Sequence, residues 1–520
     1  GCAPFLSPYP GQTLILAHMP PAVVSWRPGR PNLPVRAAAL MAAAAPPNNA
    51  GCQRIAVLGA GPAGLATTAT LLAAGATVDW VDRDFRPAGG LSAWQEVPAN
   101  TKVDLLLGAL ADIPGMERWV ADPQTYGVKG ALAEMVDAPS GWELPVNDDP
   151  APSGWTHLQQ LCGVVYAIAE ALRHDYGMPA NGQPTKLTCW AREAERLKYS
   201  SEERRWTVTL RPCGVLGPSE TLSVPAVVLA VGGRSKQPPV ELAAMLDRAA
   251  TIPQADALAP SRLKPHLPDP HAPIALVGNS HSAFVVAENL HQLGCTAVTM
   301  FGRRPLTFAG WDSSSGKYNA NAFGGLKVSR TLWAEPGHDG LAAWAELCWR
   351  LGVQGRSADF AMRHVLGLRK PASPSAATEA ARSTFRDSGR AAGASPWLAC
   401  EPLSNLPSQH AVLGYRHAIF AIGFERAALP EIHIDELPVQ VPPGYEGYNC
   451  DGNADGQLYG ARPEGAPAPL PNVFGCGLAF PHIDASNEQR YEAASIPLFL
   501  NRAQAIVSSL MLAFKPQGHL

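Results

Sequence analysis

The sequence predicts an α/β fold in which one strand–helix–strand unit is nested inside another. Three observations carry this. A glycine-punctuated strand–helix–strand pattern opens near Arg54, a second of the same kind begins at Ile274, and each is followed by a short apolar strand that runs into glycine, Ala226–Val231 and His417–Phe424. The expected division is a leader over 1–50, an outer domain over 51–265, a nested domain over 266–410, and a return to the outer domain over 411–520.

The first pattern, Arg54–Asp84, starts with the apolar run Ile55–Leu58. Gly59, Gly61 and Gly64 follow in the spacing G-x-G-x-x-G, with Pro62 and Ala63 between the last two. A helical stretch through Leu65, Leu71 and Leu72 leads to Gly75, and a second strand, Thr77–Val81, ends on Asp82. Each piece has a physical task. Gly59 permits a tight strand-to-helix turn, Gly61 lets backbone approach a pyrophosphate, and Gly64 lets the helix pack close on the strand. The helix mouth offers N–H groups and a positive dipole end to phosphates. An acid about twenty residues on can bind ribose hydroxyls, and Asp82 falls there. The pattern is Rossmann-like; the plainer reading is a glycine-rich turn of an unrelated α/β domain.

At 520 residues the chain is long enough for two or three domains. A net charge of -3 with 46% hydrophobic residues describes a soluble globular protein and makes no case for nucleic acid. No run of about eighteen apolar residues predicts a membrane span. The ten cysteines stand singly, without a C-x-x-C or a paired metal spacing. They fit buried thiols in a reducing compartment, with no metal site. The first fifty residues hold three arginines (Arg27, Arg30, Arg36) and no acid, the first acid being Asp79. Such a leader fits an organellar transit peptide, of chloroplast or mitochondrion, or else a disordered extension of a cytoplasmic protein.

Further along, Gly89-Gly90 suits a turn where backbone nears a ligand. Leu158, Leu161, Val165, Ile168 and Leu172 recur at helical spacing. Leu187–Trp190 and Trp206–Leu210 read as strands around the charged turn Ser200–Arg205. Ala226–Val231, closed by Gly232-Gly233, reads as a buried parallel strand. The second pattern, from Ile274, has Gly278, then Ser280 where the middle glycine belongs, then Ser282-Ala283 opening a helix to about Leu293. After its second strand, Arg303 and Arg304 stand where an acid would select NAD, and a basic pair favours the 2′-phosphate of NADP. The alternative is a structural βαβ unit with two surface arginines. The segment 371–396 is rich in Ala, Ser, Arg and Pro and predicts a mobile surface insertion. Asn472-Val473-Phe474-Gly475-Cys476-Gly477 leads to a last helix, about Asn487 to Met511.

Taken in order over roughly 54–505, these pieces resemble the flavoproteins with two dinucleotide-binding domains. On one side stand the flavin-containing and N-hydroxylating monooxygenases, on the other the pyridine nucleotide-disulfide reductases. The resemblance implies an FAD-binding Rossmann-like domain with a nested NAD(P)-binding one, and FAD and NADPH as cofactors. It implies that Gly59, Gly61, Pro62, Ala63, Gly64 and Asp82 hold the ADP half of FAD. Gly90, Leu91 and Trp94 would lie along the flavin, with Gly232 in the same set and Gly477 near its ribityl or pyrimidine end. Gly278, Ser280, Ser282, Arg303 and Arg304 would take NADPH. Disulfide reductases carry a cysteine pair and an Asp after the terminal glycine; here Leu478 follows Gly477 and there is no pair, which favours the monooxygenase side. The F-x-G-x-x-x-H fingerprint of that side is absent before Ile274.

The implied reaction is hydride transfer from NADPH to FAD, then oxygen activation on a small N- or S-containing substrate. The alternatives are an NAD(P)H:acceptor (quinone-type) oxidoreductase and a catalytically silent structural subunit. Neither redox reading needs a side-chain nucleophile. Asn100, His281 and His482 are the weak candidates for contact with reacting groups; Asn100 reads equally as a turn residue, and the two histidines read more readily as cap, packing or surface residues.

Overall fold

The computed structural model describes residues 53–83, 89–97, 158–178, 185–214, 217–303, 397–442, 456–462, 465–480 and 496–514, with a few isolated positions. The leader 1–50, the insertion 371–396, Asn100, Arg304 and His482 lie outside the described residues.

In chain order the main elements are β1 (Arg54–Leu58), α1 (Pro62–Ala73), β2 (Thr77–Asp82), α2 (Leu158–Gly177), β3 (Leu187–Ser200), β4 (Arg205–Pro212), β5 (Glu220–Val224) and β6 (Ala226–Leu229). Then come β7 (Ala250–Ile252), β8 (Ile274–Val277), α3 (His281–Gln292), β9 (Val298–Gly302), β10 (Leu398–Pro402) and β11 (His417–Phe420). The chain continues with β12 (Glu431–Ile434), β13 (Leu437–Val439), β14 (Gln457–Gly460), β15 (Ala468–Gly475) and α4 (Ile496–Ala513).

The chain divides into two units, and among the described residues the nested one holds Ser235–Gly423 together with Glu96 and Val97. The outer unit holds a ten-stranded sheet, ordered β13-β12-β3-β2-β1-β6-β15-β14, with β4 and β5 branching from β3. Its centre is parallel: Ile55 of β1 is in register with Val78 of β2 and Ala226 of β6. Ile55 to Leu58 and all of β6 are buried, as strands covered on both faces must be. β3 is long enough to serve three partners. Leu187–Ala191 run parallel to β2, Arg192–Ser200 pair antiparallel with β4 through a register shift between Ala194 and Arg196, and Arg196–Tyr199 run parallel to β12. Trp206, Val208 and Leu210 of β4 anchor the core between these strands.

α1 is buried from Ala63 to Leu72 and is built of small residues and leucines, which lets it lie close to the sheet and to α4. Two of its buried hydroxyls are satisfied within the helix: Thr67 and Thr70 donate to the carbonyls of Ala63 and Ala66, each at 2.8 Å, while the buried hydroxyl of Thr68 has no partner among the described residues. The last helix is described over Ile496–Ala513; its expected start at about Asn487 lies outside the described residues.

The nested unit holds a five-stranded sheet, ordered β10-β9-β8-β11-β7, parallel at every pairing. Phe301, Tyr415, Phe420 and Leu246 fill its core. This moves both expected boundaries. β7 and β11 pair with each other in the nested sheet, so 235–265 and 411–423 belong there and not with the outer domain. Backbone pairing decides membership, and the expected borders at 265/266 and 410/411 cut through it.

Candidate functional site

Each unit carries a glycine turn between a parallel strand and a helix, β1 to α1 and β8 to α3, and the two turns are built alike. In the outer turn the amide of Gly59 donates to the carbonyl of Val81 at 2.7 Å, and Ala230 donates to Leu58 at 2.7 Å. In the nested turn Gly278 donates to Phe301 and Ala421 to Val277, each at 2.8 Å. Gly59 and Gly278 sit at φ +118° and +126°, a backbone region that suits glycine. A Cβ on either would fall 2.2 Å from a carbonyl oxygen of the next strand's end, Ala230 or Ala421.

The remaining glycines of the outer turn are set by close approach. A Cβ on Gly64 would fall 1.9 Å from the carbonyl oxygen of Gly59, so helix and turn touch there. Gly61 caps α1 without any side-chain bond, and Pro62 supplies the first helical residue, where no N–H is needed. Two distant segments close on this mouth. A Cβ on Gly89 would fall 2.8 Å from the amide nitrogen of Gly61, and one on Gly477 would fall 2.9 Å from Cβ of Ala63. The site thus converges from β1–α1, from the short helix Gly89–Trp94, and from the turn after β15.

Asp82 ends β2 and its carboxylate accepts the amide N–H of Ala60 at 2.7 Å. Trp80 donates its indole N–H to the carbonyl of Gly59 at 2.9 Å. Both bonds tie the second strand to the turn. A second acid in β2, Asp79, is fully buried and serves the scaffold: Arg54 donates to it at 2.8 Å and Trp190 at 2.9 Å.

Of the other expected residues, Gly89 and not Gly90 touches the turn. Gly90 is exposed and has open space where a Cβ would go. The pair Gly89-Gly90 was the available signal, and only the folded backbone says which member is packed. Leu91 and Trp94 lie on the same short helix, and Trp94 stands edge-on to Phe424 with ring centroids 5.0 Å apart. Gly232 follows β6, and its carbonyl accepts Ala427 N–H at 3.2 Å. Cys476, beside Gly477, is fully buried and its thiol donates to the carbonyl of Phe499 at 3.3 Å. Burial pushes that thiol up to about 11, so it is no thiolate nucleophile.

In the nested turn Ser280 is the exposed cap of α3, its hydroxyl making no capping bond, and His281 and Ser282 begin the helix. Ala283 is fully buried at the position of Gly64. The register corrects one expectation. Val277 pairs with Phe301 as Leu58 pairs with Val81, so the counterpart of Asp82 is Gly302, one residue before the exposed Arg303. No sequence cue singled out Asn279, whose carboxamide covers Gly302: a Cβ at 302 would fall 2.3 Å from Asn279 Nδ2. Among the described residues no cluster of acids, histidines and cysteines could hold a metal ion, and no helix is long and apolar enough to cross a membrane.

No protein-family model matches the sequence. The chain is similar to the monooxygenase AgnR1 of Paecilomyces divaricatus, 24% identical over 454 residues, covering 84% of this chain and 92% of the relative. Among solved structures it is similar to OTEMO in complex with FAD and NADP, at 13% identity and TM-score 0.44, over 88% of this chain and 84% of that one. It is also similar to the S-allyl-L-cysteine S-oxygenase of Allium sativum, at 12% identity and TM-score 0.42, over 88% and 77%. A third likeness is to the bacillithiol disulfide reductase Bdr of Bacillus cereus, at 11% identity and TM-score 0.42, over 89% and 99%.

Proposed function

We propose that this chain is an FAD-dependent oxidoreductase that takes hydride from NADPH and acts, as flavin monooxygenases do, with oxygen on a small N- or S-containing substrate. The observation that carries the reading is the convergence at the outer turn. Gly59, Gly61, Gly89 and Gly477 meet at the mouth of α1, and none of the four brings a Cβ to it. Such a cradle fits a pyrophosphate. The helix mouth meets its charge with backbone N–H groups and the positive dipole end, and no side chain competes by capping it. Asp82 fits the ribose hydroxyls, already fixed in place by its bond from Ala60.

Bound FAD supplies the redox chemistry; the chain's residues hold and orient it and keep water from it. Beside the terminal glycines, the Cys476 thiol is buried, bonded and pushed up to about 11, a poor relay for electrons, which favours this reading over a disulfide reductase. The nested turn, with no acid at Gly302 and Arg303 just beyond, suits a nucleotide carrying a 2′-phosphate. The named activity of the 24% identical relative supports the monooxygenase side.

The test is direct. Purified protein should carry or take up FAD and absorb as oxidised flavin. Anaerobic NADPH should bleach it faster than NADH, and substrate should then drive oxygen uptake without matching peroxide release. Peroxide in step with oxygen use would move the assignment to an oxidoreductase without insertion. A colourless protein that refuses FAD would overturn the whole reading.

A further inference from the structure

The two turns close the same corner in opposite ways. In the outer turn a carboxylate at the strand end, Asp82, reaches back to the amide of Ala60. In the nested turn the strand-end residue is Gly302, and Asn279, at the position of Ala60, reaches forward over it. Asn279 Nδ2 and Cγ would lie 2.3 and 2.6 Å from a Cβ at 302, so the carboxamide occupies the space that a strand-end side chain would start from.

We infer that Asn279 is a specificity residue of the nested turn, holding a neutral carboxamide where the outer turn holds a carboxylate and so favouring adenosine nucleotides with a 2′-phosphate. This rests on the proposed reading of the nested turn as a nicotinamide-nucleotide site. The chemistry is that of charge. A carboxylate in this corner accepts hydrogen bonds from ribose hydroxyls and repels a phosphate, whereas a carboxamide N–H donates to phosphate oxygens. Asn279 acts by placing a carboxamide, and no carboxylate, at this strand end. Arg303, exposed one residue later, adds positive charge to the same edge.

Asn279→Asp changes charge at nearly constant shape, which makes it the decisive variant. The probes are adenosine 2′,5′-bisphosphate and adenosine 5′-diphosphate, titrated calorimetrically into the full-length protein. The natural chain should prefer the 2′-phosphorylated probe. Asn279→Asp should cut that affinity about a hundredfold through like-charge repulsion. Asn279→Ala, which removes only the donor, should cut it about tenfold. Binding of the 5′-diphosphate should hold within about twofold in both, since its contacts are to the helix mouth. If Asn279→Asp fails to fold, as a melting curve will show, Asn279→Ala decides. An unchanged preference in a folded variant overturns the role of Asn279 and leaves the proposed function standing. If the natural chain binds neither probe, the nested turn is no nucleotide site and both readings fall.

Discussion

The carboxylate of Asp82 and the amide of Ala60 are joined at 2.7 Å, across the gap between the end of the second strand and the turn that follows the first. The bond fixes the turn from outside the helix and holds the acid where the proposed function puts a ribose. Asp82→Ala should therefore lose about 1–3 kcal/mol of stability, the worth of a hydrogen bond to a charged acceptor. It should also weaken FAD binding more than tenfold by rough estimate. Flavin release followed by fluorescence measures the second effect, and a variant that holds FAD as tightly as the natural chain would remove Asp82 from the site.

Gly64 and Ala283 occupy equivalent places in the two turns but not equivalent spaces. A Cβ on Gly64 would meet the carbonyl oxygen of Gly59 at 1.9 Å, while Ala283 is already accommodated. Gly64→Ala should force the helix away and cost about 1–3 kcal/mol, as overpacking does. Thermal unfolding should show a lower Tm and loss of bound flavin, whereas Ala283→Gly should leave flavin content unchanged. Equal behaviour of the two variants would contradict the geometry.

Arg54, Asp79 and Trp190 make a one-sided ion pair. Asp79 is buried and the Arg54 side chain is 47% exposed. The bond to Asp79 raises the Arg54 guanidinium above its ordinary value. Removing the arginine strands a buried carboxylate with one remaining donor, Trp190, at a cost of about 3–5 kcal/mol. Removing the charge of the acid leaves an arginine that water can reach, at a cost of about 1–3 kcal/mol. Urea denaturation should thus rank Arg54→Met as the more damaging and Asp79→Asn as the milder. The opposite order would show that the pair is not organised by burial.

Cys476 stands beside the terminal glycines but should be silent in the native state. Its thiol is buried, bonded to Phe499, and raised to about 11, so at neutral pH the thiolate is scarce. A thiol reagent should label Cys476 only after denaturant is added, as peptide mapping would show. Native labelling, with loss of flavin reduction, would instead place a redox thiol at the site.

Both glycine turns were legible in the chain because a turn of this kind is written in consecutive residues. Spacing alone locates Gly59, Gly64, Gly278 and the helices they open. What was not legible depends on partners distant in sequence. The acid position of the nested turn slid by one residue because only the register between Val277 and Phe301 defines it. The contact between Asn279 and Gly302 follows from the same register and leaves no local mark. β7 is three residues long, too short for any periodicity, yet its pairing with β11 sets the border of the nested unit. β12 and β13 were missed because one alternates weakly and the other is mostly exposed.

The approach of Gly477 to Ala63 also bears on how the molecule is made. A ribosome releases β1 and α1 early, but β15 and the glycine after it emerge only once the whole nested unit has been translated. Until then the edge of β6 lacks its neighbour and the mouth of α1 stands open. Nascent chains halted before position 468 should therefore fail to retain FAD, however complete their glycine signature.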